Sequence, residues 1–479
     1  MKDNLWKELQ VDEAESAASH LQMHREKMSK KMSMRSFILA QDIVDELLLE
    51  NPGMELKIVE DKNEYPVHSL HGGNWSFITH KVMRAGRCYF GTRSQLPRIN
   101  GKAKTLLDDN KEMILERISG DSSCRETAEL TKKINPNSPL KSTTIRNIAE
   151  SEGKAIEESI QEEVSKVIKS KLLDEKDLKM DCVAEDEVKA LVAKMVPEKL
   201  QEDALANPVP FSNPENTIEL APDAVFAKRQ IPTRSKGKGK PRASKKERGE
   251  LKAKKGERKT VSSCCGAITR QSVRLITLIA PDYTSLFVRF LAALSVNDSL
   301  LKNVCLISDG EKKIREEGWS ILQGRVRGLH QILDWYHLYA KIGAKLSPAL
   351  KDKNLRRTVW TELSQMLWHG CVDKAIVHLR AIDPELIKKK EAIEELVAYL
   401  ECRREHIPVY SVRKKLGLRN SSNSAEKACD QLVSKRQKRR GMAWSKEGSY
   451  AFAVIRCTIV NKRLGEWLKS SAFSLKFVA

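Results

Sequence analysis

Cysteine is scarce and unpatterned in this sequence: there are ten, and no two stand in a C-x-x-C pair, so neither a disulfide framework nor a zinc ribbon is supported. The adjacent Cys264 and Cys265 make poor disulfide partners and a poor chelate, and read as reduced strand residues. No apolar run approaches the roughly 18 to 20 residues that span a bilayer, and the opening MKDNLWKELQVDEAES is too acidic and polar for a secretory signal. The expectation is a cytoplasmic chain off the membrane. Acid is in deficit too: 64 Asp and Glu against 85 Lys and Arg leave a formal charge of +21 over 479 residues. A surplus of that size favours polyanions, because neutralising phosphates releases the counterions condensed on nucleic acid. With 41% apolar residues there is still material for real cores, which excludes wholesale disorder, and the length predicts two or three domains.

Residues 1–100 read as an N-terminal helix plus a small strand-rich region. Leu39, Ile43 and Leu47 recur at helical spacing until Asn51-Pro52-Gly53 breaks the pattern, and strand and turn signals follow over 54–96. His68, His71, His80 and Cys88 fall there and read as solvated or core side chains rather than a metal site. Residues 101–206 read as helical. Segments 126–133 and 142–152, joined by Asn135-Pro136-Asn137-Ser138-Pro139, have the outline of a helix-turn-helix with Thr143, Thr144, Arg146 and Asn147 facing bases; an ordinary helical hairpin fits equally. Ile156, Ile160, Val164, Val167 and Ile168 make a stripe that either dimerises the chain or packs on its own domain.

A linker is expected over 207–214. Beyond it, 234–259 contains 13 Lys or Arg and almost nothing apolar, and reads as a mobile basic loop, either a solvated insertion or an excursion that grips phosphate.

From residue 218 the pattern becomes α/β. Strand-like segments at 218–230, 259–268 and 272–280 precede an apolar helix at 283–294, then the strand NVCLIS ending at Asp309-Gly310, then a strand at 331–335. The order resembles that of ribonuclease-H-like nucleotidyl-transfer folds: a mixed sheet over 215–350 and 407–468, with a helical insertion at 351–406. In that order an acid on the first strand and one after the fourth come to lie side by side, which points to Asp223 and Asp309. Asp282 is the alternative first acid, although it begins a helix and looks like an N-cap. Glu426, just after Asn420-Ser421-Ser422-Asn423, is the third. Adjacent carboxylates repel unless a cation is shared, and hard oxygen ligands suit two Mg²⁺ or Mn²⁺ ions.

Gln331-Ile332-Leu333-Asp334-Trp335-Tyr336-His337-Leu338, Ser308-Asp309-Gly310, Ile407-Pro408-Val409-Tyr410, the run from Arg413 to Asn423, and Arg439-Arg440-Gly441-Met442-Ala443-Trp444-Ser445 together resemble DDE transposases of bacterial insertion sequences, over about residues 215 to 468. The resemblance implies an enzyme that recognises the ends of its own mobile element, cuts them by hydrolysis and joins the 3′-hydroxyls to target DNA. It makes Asp223, Asp309 and Glu426 the metal-binding catalytic triad, in a homo-oligomer associated with the bacterial nucleoid. Lys228, Arg229, Arg419, Arg436, Lys438, Arg439 and Arg440 are expected on DNA, and Asp334, Tyr336 and His337 are expected to support the site. The rival readings are a decayed, DNA-binding regulator and a structure-specific nuclease.

Overall fold

The computed structural model describes residues 57–69, 73–84, 87–90, 105–106, 108–134, 138, 140–170, 179–230, 260–439 and 442–478. The 39–48 stripe, His71, the basic loop at 234–259 and Arg440 lie outside them. The chain divides into two compact units, Met1–Ala155 with Leu464–Ser471, and Ile156–Arg463 with Ala472–Ala479.

In the first unit, β1 (Lys57–Ser69), β2 (Gly73–Arg84), β3 (Arg87–Phe90) and β4 (Thr105–Leu106) form a sheet ordered β3-β2-β1-β4, antiparallel except for β1 with β4. His68, His80 and Cys88 fall on this strand backbone. Then come α1 (Asp108–Ser119), α2 (Cys124–Ile134) and α3 (Ser142–Ser170). Ser123 starts α2 by a reciprocal cap: its hydroxyl accepts from the Glu126 N–H at 3.1 Å while the Glu126 carboxylate accepts from the Ser123 N–H at 2.7 Å. Ile114, Leu115 and Ile118 of α1 are buried, as are Ile145, Ile148 and Ala149 of α3. The two helices expected around residue 138 are present, with Thr143, Arg146 and Asn147 exposed on the second. That second helix runs for 29 residues, far beyond residue 152.

The distal half of α3 belongs to the second unit, where the apolar stripe is used at home. Ile156, Ile160 and Val164 are buried within the chain, and Glu157 between them pairs with Arg289 and accepts a hydrogen bond from Tyr450. Val167 and Ile168, further along the stripe, are only part-buried. The segment 207–214 is no linker either: Asn207 donates to the carbonyls of Gly370 and Ile407 at 2.9 and 3.0 Å, and Val209 packs with Cys305, Ile307 and Ile332. Its Pro and Asn residues suggested a loop; they follow α4 (Glu185–Met195) and α5 (Glu198–Leu205), which pack on the same unit.

The centre of this unit is a five-stranded mixed sheet. β5 (Thr217–Lys228), β6 (Thr260–Arg270) and β7 (Val273–Ala280) form an antiparallel meander; β8 (Asn303–Ser308) lies parallel to β5 on its other side, and β9 (Gly328–Leu333) lies parallel to β8. The spatial order is β7-β6-β5-β8-β9, and the chain order of three strands, helix, strand is the expected one. Both faces are covered, which is why NVCLIS is apolar nearly throughout and all six residues are buried. On one face lie α6 (Tyr283–Val296) and α7 (Lys312–Leu322). Phe290 of α6 approaches Gly266 so closely that a Cβ there would sit 2.3 Å from the ring.

Past β9, the helices α8 (Trp335–Ala349), α9 (Lys353–Trp368), α10 (Val372–Arg380) and α11 (Lys390–Arg403) share an apolar core that includes Leu338, Leu363, Ile376 and Leu396. That core also takes in Leu333 of β9, Ile407 and Tyr410, so the helices over 351–406, expected as an insertion, pack continuously with α8 and the sheet end. The chain returns through α12 (Tyr410–Lys415) to α13 (Asn423–Cys429), which packs on β5 and β6, and ends with α14 (Lys446–Val460) and α15 (Leu464–Ser470), the last of these in the first unit. Among the described residues no helix is long and apolar enough to cross a membrane.

Candidate active site: a carboxylate cluster at the ends of the central strands

The β5–β8 ladder is in register from Thr217 with Asn303 to Leu220 with Leu306. Three further residues along each strand arrive at Asp223, midway along β5, and at Asp309, just past the end of β8. Chain connections run to opposite sides from these two strands, and the crevice beyond the strand ends at such a switch point is where open α/β sheets bind ligands. Pro222 precedes Asp223 and withholds an N–H from a central strand. The strand tolerates it because its pairing with β8 has already ended at Leu220.

Asp309 opens a tight turn. Its carboxylate accepts from the Glu311 N–H at 2.8 Å, and Gly310 takes φ +87°, which a side chain would strain. A Cβ at Gly310 would also meet Leu333 at 2.9 Å and the Arg403 guanidinium at 3.1 Å. Glu426 comes from α13, on the sheet face opposite α6. One turn further on, the Cys429 thiol reaches the Asp223 carboxylate at 3.6 Å. Asp223 is held above the usual aspartate range, first by burial and further by the charges of Asp309 and Glu426, although the Ala224 N–H and the Cys429 thiol oppose the rise. Asp309 and Glu426, from separate stretches of sequence, are thus both near enough for their charges to reach Asp223. Asp282 is an N-cap: its side chain accepts from the Ser285 N–H at 2.8 Å.

Asp334 ties the β9 end to the start of α13. Fully buried, it accepts from the backbone N–H and the hydroxyl of Ser422, four residues before Glu426, and from the His337 N–H at 2.9 Å. Burial alone would raise its pKa, but the bonds from His337 and Ser422 outweigh it and hold the carboxyl below its ordinary range. The His337 ring lies 3.2 Å from Asp334 through Nδ1 and 3.9 Å from Glu426 through Nε2. Its pKa is raised, chiefly by the bond to Asp334 and then by the charges of Asp334, Asp309 and Glu426, against the pull of burial. Tyr336 is exposed beside it.

The expected DNA-facing cations divide. Lys228 and Lys438 are exposed. Arg436 is not: it is buried, with its guanidinium over the rings of Trp444 and Phe452 at 5.1 and 5.7 Å. Arg419 is committed inward, its backbone N–H donating to Glu219 at 2.6 Å and its guanidinium to the Ser272 carbonyl at 2.7 Å. Both read as DNA contacts because a basic run beside the third acid carries no mark of which side faces in. Arg229 bridges by backbone to Trp444, and Arg439 donates to the Lys435 carbonyl at 3.0 Å.

Two neighbours escaped the sequence reading. Cys429 had only its i+3 spacing from Glu426 to mark it. Arg403, from the end of α11, donates to the Gly310 carbonyl at 2.8 Å, and its partner Tyr399 feels the charge of Asp309; nothing in the sequence links a residue 94 positions away to that turn.

Neither a protein-family model nor a curated protein matches the chain. Its function is therefore read from the site itself. Among the described residues no group of three His, Cys, Asp or Glu side chains stands in metal-holding geometry. The donor chemistry nonetheless fits a hard divalent ion: three oxygen-bearing acids of like charge, one with its proton affinity raised by burial and then by the other two, would turn repulsion into attraction around a shared cation.

Proposed function

We propose that the chain is a DNA transposase of the DDE type, with Asp223, Asp309 and Glu426 as its catalytic triad, cutting the ends of its own element and joining them to target DNA. The observation that carries this reading is the part-buried Asp223, whose proton affinity is raised first by burial and further by the charges of Asp309, just past the end of the parallel neighbour β8, and Glu426, on the helix packed over β5. The strand order β7-β6-β5-β8-β9, with the first three antiparallel and the last two parallel to the first, supports a ribonuclease-H-like catalytic domain. The net charge of +21 and the exposed Lys228 and Lys438 support a nucleic-acid substrate.

The same three acids would hold Mg²⁺ or Mn²⁺, which when bound supplies activation of the attacking oxygen and neutralisation of the leaving one at phosphorus. The protein's own share is positioning. Asp334 locks the Ser422 end of α13, and so fixes where Glu426 projects, while the His337 ring stands between Asp334 and Glu426. Arg403 braces the turn that carries Asp309. Two element ends must meet, so the active assembly contains at least two chains.

The test uses the purified full chain, linear DNA carrying the sequences that flank its gene, and a supercoiled target. Asp309→Asn is expected to abolish Mg²⁺-dependent cleavage and strand transfer while leaving DNA binding intact. Cleavage by that variant at the wild-type rate would overturn the triad, and cutting without joining by the wild type would make the chain a nuclease.

A further inference from the structure

The helical module carries a concentration of positive charge that the carboxylate cluster does not explain. Segments 351–357 and 388–390 contain seven Lys or Arg and a single acid, Asp352. They are 31 residues apart in sequence, but the fold brings them side by side: Leu350 bridges Ile387, the Lys351 N–H donates to the Leu386 carbonyl at 3.1 Å, and the N–H groups of Lys388 and Lys389 both donate to the Ala349 carbonyl at 2.7 and 3.1 Å.

The acid is already spent. Asp352 caps α9, accepting from the Leu355 N–H at 2.7 Å. Of the cations, Arg356 donates to the carbonyls of Asp352 and Ser347, and Lys351 to that of Glu385. Lys390 makes only a loose pair with Glu394, at 3.6 Å with both side chains largely exposed. Lys353, Arg357, Lys388 and Lys389 are all exposed. Like charges gathered in this way repel one another, and Lys353 and Lys390 open helices, where positive charge is disfavoured. The fold uses part of this charge, in the bonds of Lys351 and Arg356, the loose Lys390 pair and the pull of Lys389 on Glu395, while a polyanion laid across the face would gain from the exposed cations together.

We infer that this face, built from residues 351–357 and 388–390, is a second docking surface for the backbone of duplex DNA, separate from the carboxylate cluster. Its distance from that cluster is set by one element. α8 begins next to Asp334, against the start of the Glu426 helix, and ends at Ala349 beside the basic face. Fifteen residues at about 1.5 Å each put the two roughly 22 Å apart, about six base-pair steps of duplex. A duplex engaged by the three acids and running along α8 would bring its backbone to these lysines some six or seven pairs further along. The inference rests on the DNA-acting reading above.

The experiment measures affinity of the full chain for a 30-base-pair duplex, without divalent ion, across a series of salt concentrations. The patch variant is K353E/R357E/K388E/K389E; a control reverses four exposed lysines elsewhere in the chain, K166E/K169E/K189E/K194E. The patch variant is expected to lower the slope of log affinity against log salt by about 3 to 4 and to weaken binding at least tenfold, while the control stays within about threefold of wild type. The neutral set K353Q/R357Q/K388Q/K389Q should show the same loss of slope, which separates loss of contact from added repulsion or misfolding. An unchanged slope in the patch variant, or an equal fall in the control, overturns this surface alone. A wild-type chain with no salt-dependent affinity for duplex DNA overturns the proposed function as well.

Discussion

Two acids on β5, four residues apart and on the same face of the sheet, have opposite fates. Glu219 is buried and satisfied: its carboxylate accepts from the Thr269 hydroxyl at 2.9 Å and the Arg419 N–H at 2.6 Å, and the Arg419 guanidinium lies 3.8 Å away. Arg413, equally buried, completes this corner by donating to the Arg419 carbonyl at 3.0 Å. Asp223 has two other acids for neighbours, and a thiol and one backbone N–H for donors. One carboxylate has been given its cation by the fold and the other has not. A half-buried acid placed among acids is costly unless something from outside supplies the positive charge, and this asymmetry marks Asp223 rather than Glu219 as the working residue.

The largest expected difference is in activity. Asp223→Asn should lower Mg²⁺-dependent strand cleavage on the order of 10³-fold or more, read from the rate on end-containing DNA. Glu219→Gln should leave measurable cleavage in whatever fraction remains folded. In stability the order reverses. Glu219→Ala strands the Arg419 and Arg413 corner and should cost about 3 kcal/mol in denaturant melts. Asp223→Asn should raise the metal-free thermal midpoint by about 1 to 3 °C near neutral pH. The sign follows from the raised pKa of Asp223. Its folded form favours the proton, so the wild type loses stability as pH climbs through that value, and the gap between wild type and Asp223→Asn should close below the ordinary aspartate range. Wild type and variant melting alike at pH 7 would remove the frustration on which the comparison rests.

Acid sensitivity enters two strands along from Glu219, across Cys305. His330 on β9 is buried with neither ring nitrogen hydrogen-bonded in the structure, and burial, followed by the nearby Arg413, pushes its pKa down to about 3. The unfolded chain takes up this proton first, so stability is complete above the ordinary histidine value and is lost as pH falls from there towards 3. About 2 kcal/mol should be gone by pH 5, and His330→Leu should flatten that part of the curve in pH-dependent denaturant melts. The smallest effect is at Cys429. Removing its thiol with Cys429→Ala leaves Asp223 with one donor fewer and should raise the Mg²⁺ concentration for half-maximal cleavage about two- to fivefold, while Cys429→Ser keeps a donor and stays near wild type.

How legible these features were depends on the range of the interaction that made them. The strands of the central sheet, the helix after β7 and the Asp309-Gly310 turn are written in local pattern: apolar runs, an N-cap at Asp282, and a glycine where φ must be positive. Apolar stripes show that a helix buries one face but not against what, so Ile156, Ile160 and Val164 left a dimer and a domain equally open. Basic residues were the least legible, because Arg436 inside a ring cage and Lys438 in solvent look alike in sequence. Cys429 and Arg403 reach the acids only through tertiary contact.

The early end of the β5–β8 ladder has its own consequence. β5 stays paired with β6 as far as Lys228, and β8 stays paired with β9 as far as Ser308, yet the two halves stop sharing rungs at Leu220 and Leu306. Like a zipper halted before its top, the sheet opens into a fork with an acid on each prong, and Pro222 guards it because a residue with no amide hydrogen cannot help the teeth close. A guest entering there displaces no rung of the sheet, so the sheet need not loosen to admit it.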